Sequence, residues 1–390
     1  MSAMNKNKML RCFIRPLICA FAAIMLITLG IVRVSAEDDT SVPQEYEDFI
    51  GSLDGSVTDK LPDSIFSENA EDIGGAAAEI ADPSNILSML LDVLADGIKK
   101  AAPTLAILLG IVILSALVSA VASNLGSMTR AVETLIRLCT FCSISGLALS
   151  CIESLSLYFE RLFSAVASFL PLSAALFAMG GNLNAAASNS ASLGLVLTVC
   201  EFFCTKTVIP IFSVSLCFTL LTAFDGVGAS AGERAGAIVR KWYMTALSFL
   251  MMILTVSLGA GNLIATKADN MAMRGAKFAV SSFVPVTGGT VSSTLGTLAA
   301  SVELLRGSIG VIGIVIMLLM LLPTIIELAL LRGVFAISGF CASILGCAGE
   351  ARLLSSLDSL YGYLEGVAVL SATVFVIAFG IFASVATPFS

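Results

Sequence analysis

Residues 309–331 read IGVIGIVIMLLMLLPTIIELALL, 23 residues with a single ionisable side chain, Glu327, and a single proline, Pro323. An α-helix needs about 20 mainly apolar residues to cross the hydrocarbon of a bilayer. The same window applied outward picks out Ala101–Ser123, Leu138–Tyr158, Leu162–Gly180, roughly Leu193–Phe224, Tyr243–Ala265 and Val367–Thr387. The fold class this predicts is all-α: a polytopic helical membrane protein with about seven spans. The fourth segment holds Glu201, Lys206 and Pro210 near its middle. One long tilted span, a broken helix, and a short re-entrant piece followed by a span all fit it.

Composition agrees. Of the 390 residues, 57% are hydrophobic and only 13% are charged, about half the charged share that covers a soluble domain. Residues 37–100 carry sixteen acids against Lys60, Lys99 and Lys100, whereas the chain beyond residue 100 holds thirteen basic and twelve acidic side chains. There is no basic patch with interleaved aromatics, so no nucleic-acid partner is indicated. The lipid bilayer is the partner that the composition demands.

The N-terminus has the three parts of a secretory signal: Lys6, Lys8, Arg11 and Arg15, then an apolar run from Leu17 to Val32, then Val34-Ser35-Ala36. Cleavage after Ala36 is expected, with an uncleaved first anchor as the alternative. Three regions follow: a signal peptide over 1–36, an acidic exported segment over 37–100, and a helical transmembrane domain over 101–390. Within the exported segment, Ile86, Leu87, Leu90, Leu91, Leu94 and Ile98 recur at helical spacing, which predicts an amphipathic helix near 84–98 lying along the membrane surface. A cleaved signal and seven spans put the C-terminus inside. Lys and Arg counts in the loops are too even to test that orientation.

Chemistry is limited by absences. The chain contains no histidine, which removes Ser-His and Cys-His catalysis, histidine metal sites and histidine proton relays. Cys139 and Cys142 form a CxxC without a second pair, which reads as small apolar helix residues rather than a zinc site. No phosphate-binding loop and no nucleophile elbow is present. Neither an enzyme activity nor a cofactor is expected.

Glu201, Lys206 and Glu327 are the ionisable side chains deepest in apolar sequence, with Glu153 and Asp225 nearer segment ends. A charge at the bilayer centre costs about 2.5–3.5 kcal/mol on insertion scales, so it faces a polar path or a partner. Lining an ion or solute path and pairing between helices both remain open. Gly307, Gly310 and Gly313 recur at intervals of three, a spacing that lets helices approach closely. Two stretches fit neither span nor loop: Phe278–Leu305, rich in Gly, Ser and Thr around Pro285 and Gly288, and Val334–Gly346, too short to cross. The segment Lys277–Leu305 is predicted to re-enter the membrane or pack on its surface, with Pro285 and Gly288 fixing a turn.

The series Arg274-Gly275-Ala276-Lys277-Phe278, Phe283-Val284-Pro285-Val286-Thr287-Gly288 and Leu304-Leu305-Arg306-Gly307-Ser308-Ile309-Gly310-Val311-Ile312-Gly313 resembles the stage III sporulation protein AE family of endospore-forming bacteria. The likeness is specific between about residues 270 and 315 and architectural elsewhere. Thr287 and the second glycine, Gly289, depart from the family pattern. The resemblance implies a membrane component of the channel or secretion-like complex joining mother cell and forespore, seated in the mother-cell-derived outer forespore membrane. It further implies partners from the same operon, including a cytosolic ATPase and ring-forming membrane proteins. It carries over no catalytic residue. A self-sufficient secondary transporter of a small solute and a scaffold that recruits the ATPase and rings are the alternatives.

Overall fold

The computed structural model describes residues 43–384 except residue 54 and residues 59–60, 67–69, 81–82, 123–126, 222–228 and 284–287. The expected signal peptide therefore lies outside the described residues, as does Pro285. Among the described residues there is no strand. Helices α1 (Gln44–Gly51), α2 (Gly55–Thr58) and α3 (Ala70–Ile80), with a 3-10 turn at Asp63–Phe66, precede α4 (Pro83–Ala122), α5 (Ser127–Met179) and α6 (Leu183–Glu201). A π-helical turn, Phe202–Thr207, leads into α7 (Val208–Leu221), followed by α8 (Ala229–Phe283), α9 (Gly288–Ile344) and α10 (Ala348–Ser384).

Among the described residues six helical stretches are long and apolar enough to cross a membrane, from Ser88–Val118 with 31 residues to Ser301–Ile344 with 44. Six replaces the seven expected. Leu138–Tyr158 and Leu162–Gly180 are not two spans but parts of one helix, α5. The pair Glu160-Arg161 that separates them in sequence brings no glycine or proline, and a charged pair alone does not break a helix. The choice left open for the fourth segment resolves into one continuous rod, α6–π–α7. Pro210 has no N–H to return to the turn before it, and the ladder widens into a π turn just ahead of it. Residues 84–98 form the first part of α4 rather than a separate surface helix. Val334–Gly346 is largely the end of α9. Phe278–Leu305 is helical on both sides of residues 284–287.

Contacts between helices set an up-and-down order. The start of α6 meets the end of α8 through Asn184 and Asp269, and Gly310 of α9 abuts Ala383 near the end of α10. At the other end, Ser115 of α4 donates to Glu350 of α10 over 2.7 Å, and Gly236 of α8 lies against Ser215 of α7. Helix α9 is the central rod: 78% of its most apolar window is buried, against 22% for α4. Two of the three glycines at intervals of three are contact points. A Cβ on Gly310 would stand 2.5 Å from the Ala383 Cβ, and one on Gly313 would stand 2.1 Å from the Phe379 ring, whereas Gly307 meets nothing within 4 Å.

The acidic N-terminal segment has too little apolar surface for a core of its own and uses the bundle's. Tyr46, Phe49, Ile50, Leu53, Ile65 and Ile73 are buried. The Phe49 ring packs edge-on against Phe169 of α5 at 5.7 Å, and the Tyr46 hydroxyl donates to the Ile65 carbonyl over 3.0 Å. Gly74 of α3 faces Ser308 of α9. The segment thus covers the end of the bundle where α9 begins and α10 finishes.

Candidate functional site

Helix α9 carries a fully buried arginine, Arg306, and a largely buried one, Arg332, 26 residues and so about 39 Å apart along the rod. A polar layer lies in each half of the bundle, and the helix between the two arginines is almost wholly apolar.

At Arg332 the charge is answered twice. Its Nε donates to Asp358 Oδ1 over 2.9 Å, and its Nη1 donates to Glu365 Oε2. The two carboxylates stand seven residues apart on α10, two helical turns, and so share a face. Gly362 lies between them, where a Cβ would come within 3.1 Å of the guanidinium carbon; the missing side chain admits the arginine. Side-chain exposure falls from 31% at Asp358 to 13% at Arg332 and 4% at Glu365. Charge-assisted bonds of this kind are strong where water is excluded. Glu365 Oε1 and the hydroxyls of Tyr361 and Tyr363 have no hydrogen-bond partner among the described residues. The Tyr361 ring packs against Phe335 and Phe212, and the Tyr363 ring against Tyr243. Tyr243 in turn donates to the Phe203 carbonyl over 2.9 Å, within the π turn.

The second layer is built from amides. Asn262 of α8 donates to Asn189 of α6 over 3.0 Å, and Asn189 donates to Ser173 of α5 over 3.0 Å. This ladder ties three helices together where apolar packing gains little against lipid. Close by, Asp269 of α8 caps the start of α6. One carboxylate oxygen accepts from the backbone N–H of Asn184 at 3.1 Å and from its side chain at 2.7 Å, and the other from the Ala185 N–H at 2.8 Å. A carboxylate at a helix N-terminus satisfies the free N–H groups and suits the dipole. Arg306 lies in the same half of the bundle with its guanidinium carbon 5.2 Å from the centre of the Phe177 ring.

The sequence candidates fall into separate places. Glu327 is half-buried at the level of the Arg332 layer, with the Ser154 hydroxyl on its carboxylate and within the field of Lys100. Glu201 and Lys206 are both exposed, on the outer side of the α6–π–α7 rod. Arg274 is exposed near the end of α8. Lys277, Phe278 and Phe283 lie in the last turns of α8, and Gly288 opens α9; their side-chain surroundings lie outside the described residues, with Pro285. Glu153 is exposed on α5, and Asp225 is not described. Among the described residues, Glu201, Lys206 and Glu327 thus do not converge on one path.

Sequence reasoning missed Arg332, Asp358 and Glu365, which the spans as drawn left in a loop before Val367. The spacing of Asp358, Tyr361, Tyr363 and Glu365 around Gly362 was the available signal. It also missed Asn182, Asn189, Asn262 and Asp269, whose types are ordinary at span ends. No nucleophile stands beside a base in either layer. Among the described residues no three metal-ligating side chains converge.

The family model for stage III sporulation protein AE matches residues 73–387, from α3 to the end of α10 and beyond. No curated protein and no solved structure matches the chain.

Proposed function

The chain belongs to the stage III sporulation protein AE family, and on that premise we propose that it is a non-enzymatic membrane component of the channel complex joining mother cell and forespore. It is a sporulation protein with membrane-spanning helices. The observation that carries the proposal is the family match over nearly the whole bundle.

The placement of charge supports a role among partners rather than alone. Glu201 and Lys206 sit outward in the middle of the candidate span Leu183–Thr219. Charges there are costly against lipid, so this face belongs against other proteins of the complex or against water held between them. The most apolar window of the central rod is 78% buried, which favours a conduit between subunits over one through a single chain. With the N-terminal segment exported, as the signal-like N-terminus implies, the Arg332 end faces the mother-cell cytoplasm, where a cytosolic ATPase has access to it; six spans in place of seven then put the C-terminus on the exported side rather than inside. The N-terminal segment then covers the opposite, exported end, in the outer forespore membrane.

Affinity purification of the full chain from sporulating cells, read by mass spectrometry, tests this. The wild type should bring the ATPase and the ring-forming proteins of the same operon. Glu201→Leu with Lys206→Leu should lose them while still inserting in the membrane. Purification of the chain alone, together with solute uptake into proteoliposomes holding no other protein, would replace the proposal with the transporter reading.

A further inference from the structure

Arg306 is 0% exposed, yet its Nε, Nη1 and Nη2 find no hydrogen-bond acceptor among the described residues. A guanidinium stays charged at every physiological pH. A buried charge without a counter-charge is strongly unfavourable, so such a group is paired or it is not buried. The Phe177 ring beneath it offsets part of that penalty through its quadrupole, but a ring face accepts none of the five N–H bonds. Glu303, one turn earlier on α9, is the carboxylate whose field reaches it.

A second side chain nearby is equally unanswered. Asn182 is 0% exposed, and both its Nδ2 and its Oδ1 lack partners among the described residues. It occupies the N-cap position of α6 without making a capping bond. An asparagine there ordinarily accepts the N–H of the second or third helical residue. Here those two N–H groups, from Asn184 and Ala185, already donate to Asp269. The cap is filled from another helix, which releases the Asn182 amide for something else. Both orphans are anchored on one residue: the Phe177 ring carries the Arg306 guanidinium, and the Phe177 carbonyl accepts the Asn182 N–H over 2.9 Å. Gly181 makes this approach possible by turning the chain with φ +77°, a conformation that suits glycine.

We propose that Arg306 and Asn182, held on Phe177 at the α5–α6 turn, form a buried binding site for a phosphate-class oxyanion that carries its own hydroxyl. The guanidinium fork matches two phosphate oxygens, the Asn182 NH2 donates to a third, and the Asn182 Oδ1 accepts from the hydroxyl. Free hydrogenphosphate has this chemistry in full; the phosphatidylglycerol headgroup supplies two non-bridging oxygens for the guanidinium fork and glycerol hydroxyls for Asn182, with an ester oxygen in the third place. The inference does not depend on membership of a channel complex, since it rests on the fold of one chain.

The test uses the full chain in detergent, with thermal unfolding followed by the fluorescence of Trp242 while inorganic phosphate is titrated at constant ionic strength. The wild type should show a saturable rise in midpoint with phosphate and not with chloride. Arg306→Met should abolish the rise, and Asn182→Leu should weaken the apparent phosphate affinity tenfold or more. If Arg306→Met does not fold, Arg306→Lys takes its place; it keeps the charge but loses the fork, and should weaken affinity at least tenfold. A wild-type rise found only in nanodiscs of phosphatidylglycerol, against phosphatidylcholine, identifies the lipid headgroup as the source. An equal response of wild type and Arg306 variants, or no wild-type response in phosphate and in both lipids, overturns the site.

Discussion

The two arginines of α9 stand in the same rod with opposite solutions to the same problem. Arg332 holds two carboxylates of α10 and is 13% exposed. Arg306 is fully buried over an aromatic ring and holds no acceptor among the described residues. The first is closed: its charge is answered inside the chain, so it holds α9 and α10 together and in register. The second is open, and its answer comes from outside the chain. A buried charge therefore signals structure or binding according to what surrounds it, not according to its depth.

Breaking the closed end has the largest expected effect. Arg332→Met strands Glu365 in the bundle and should destabilise the chain by about 3–5 kcal/mol, the loss found when one partner of a buried pair is removed. Adding Asp358→Asn and Glu365→Gln should restore much of that stability, as read by denaturant unfolding in detergent. A triple variant no more stable than Arg332→Met would show that the cluster is not an electrostatic clamp.

Gly313→Ala comes next. Its new methyl would overlap the Phe379 ring, and overpacking of this kind costs about 1–3 kcal/mol. Gly307→Ala, with open space at that position, should raise the unfolding midpoint slightly, since alanine is about 0.5–1 kcal/mol better than glycine inside a helix. Equal effects at the two glycines would mean that α9 and α10 are not in close contact there.

A smaller loss is expected in the amide ladder. Asn262→Leu removes the donor to Asn189 and should cost about 0.6 kcal/mol, the average for a hydrogen bond between helices in a membrane, and no more than about 1.7 kcal/mol. No loss is expected at the open end. Without phosphate, Arg306→Met should leave stability unchanged or raised, because an unanswered buried charge replaced by an apolar side chain of similar volume is neutral or favourable. A loss as large as that of Arg332→Met would erase the contrast between the two ends.

The fold class was legible because it depends on composition and window length. Runs such as Ile309–Leu331 admit no soluble alternative, and the glycines at 310 and 313 marked a contact that α10 supplies. The span count was less legible. Glu160-Arg161 reads as a loop in a hydropathy window, but its residues are good helix formers and α5 runs through it. Glu327 was visible because it interrupts apolar sequence, whereas Asp358 and Glu365 were hidden by lying among ordinary polar residues.

The amino-acid sequence by itself determined that this chain is helical, lies in a membrane and belongs to a sporulation family, since hydrophobic length and local residue series are properties of the chain alone. Which charges are answered was decided only by tertiary structure. Glu201 and Lys206 look alike with Glu327 in sequence, yet the π turn and the packing of α6 leave two outside and one half-buried. Arg306 and Arg332 look alike as well, and only the antiparallel seating of α10 brings two carboxylates to one of them and none to the other. Pairing acts over a few ångströms between residues far apart in the chain, so no local pattern encodes it.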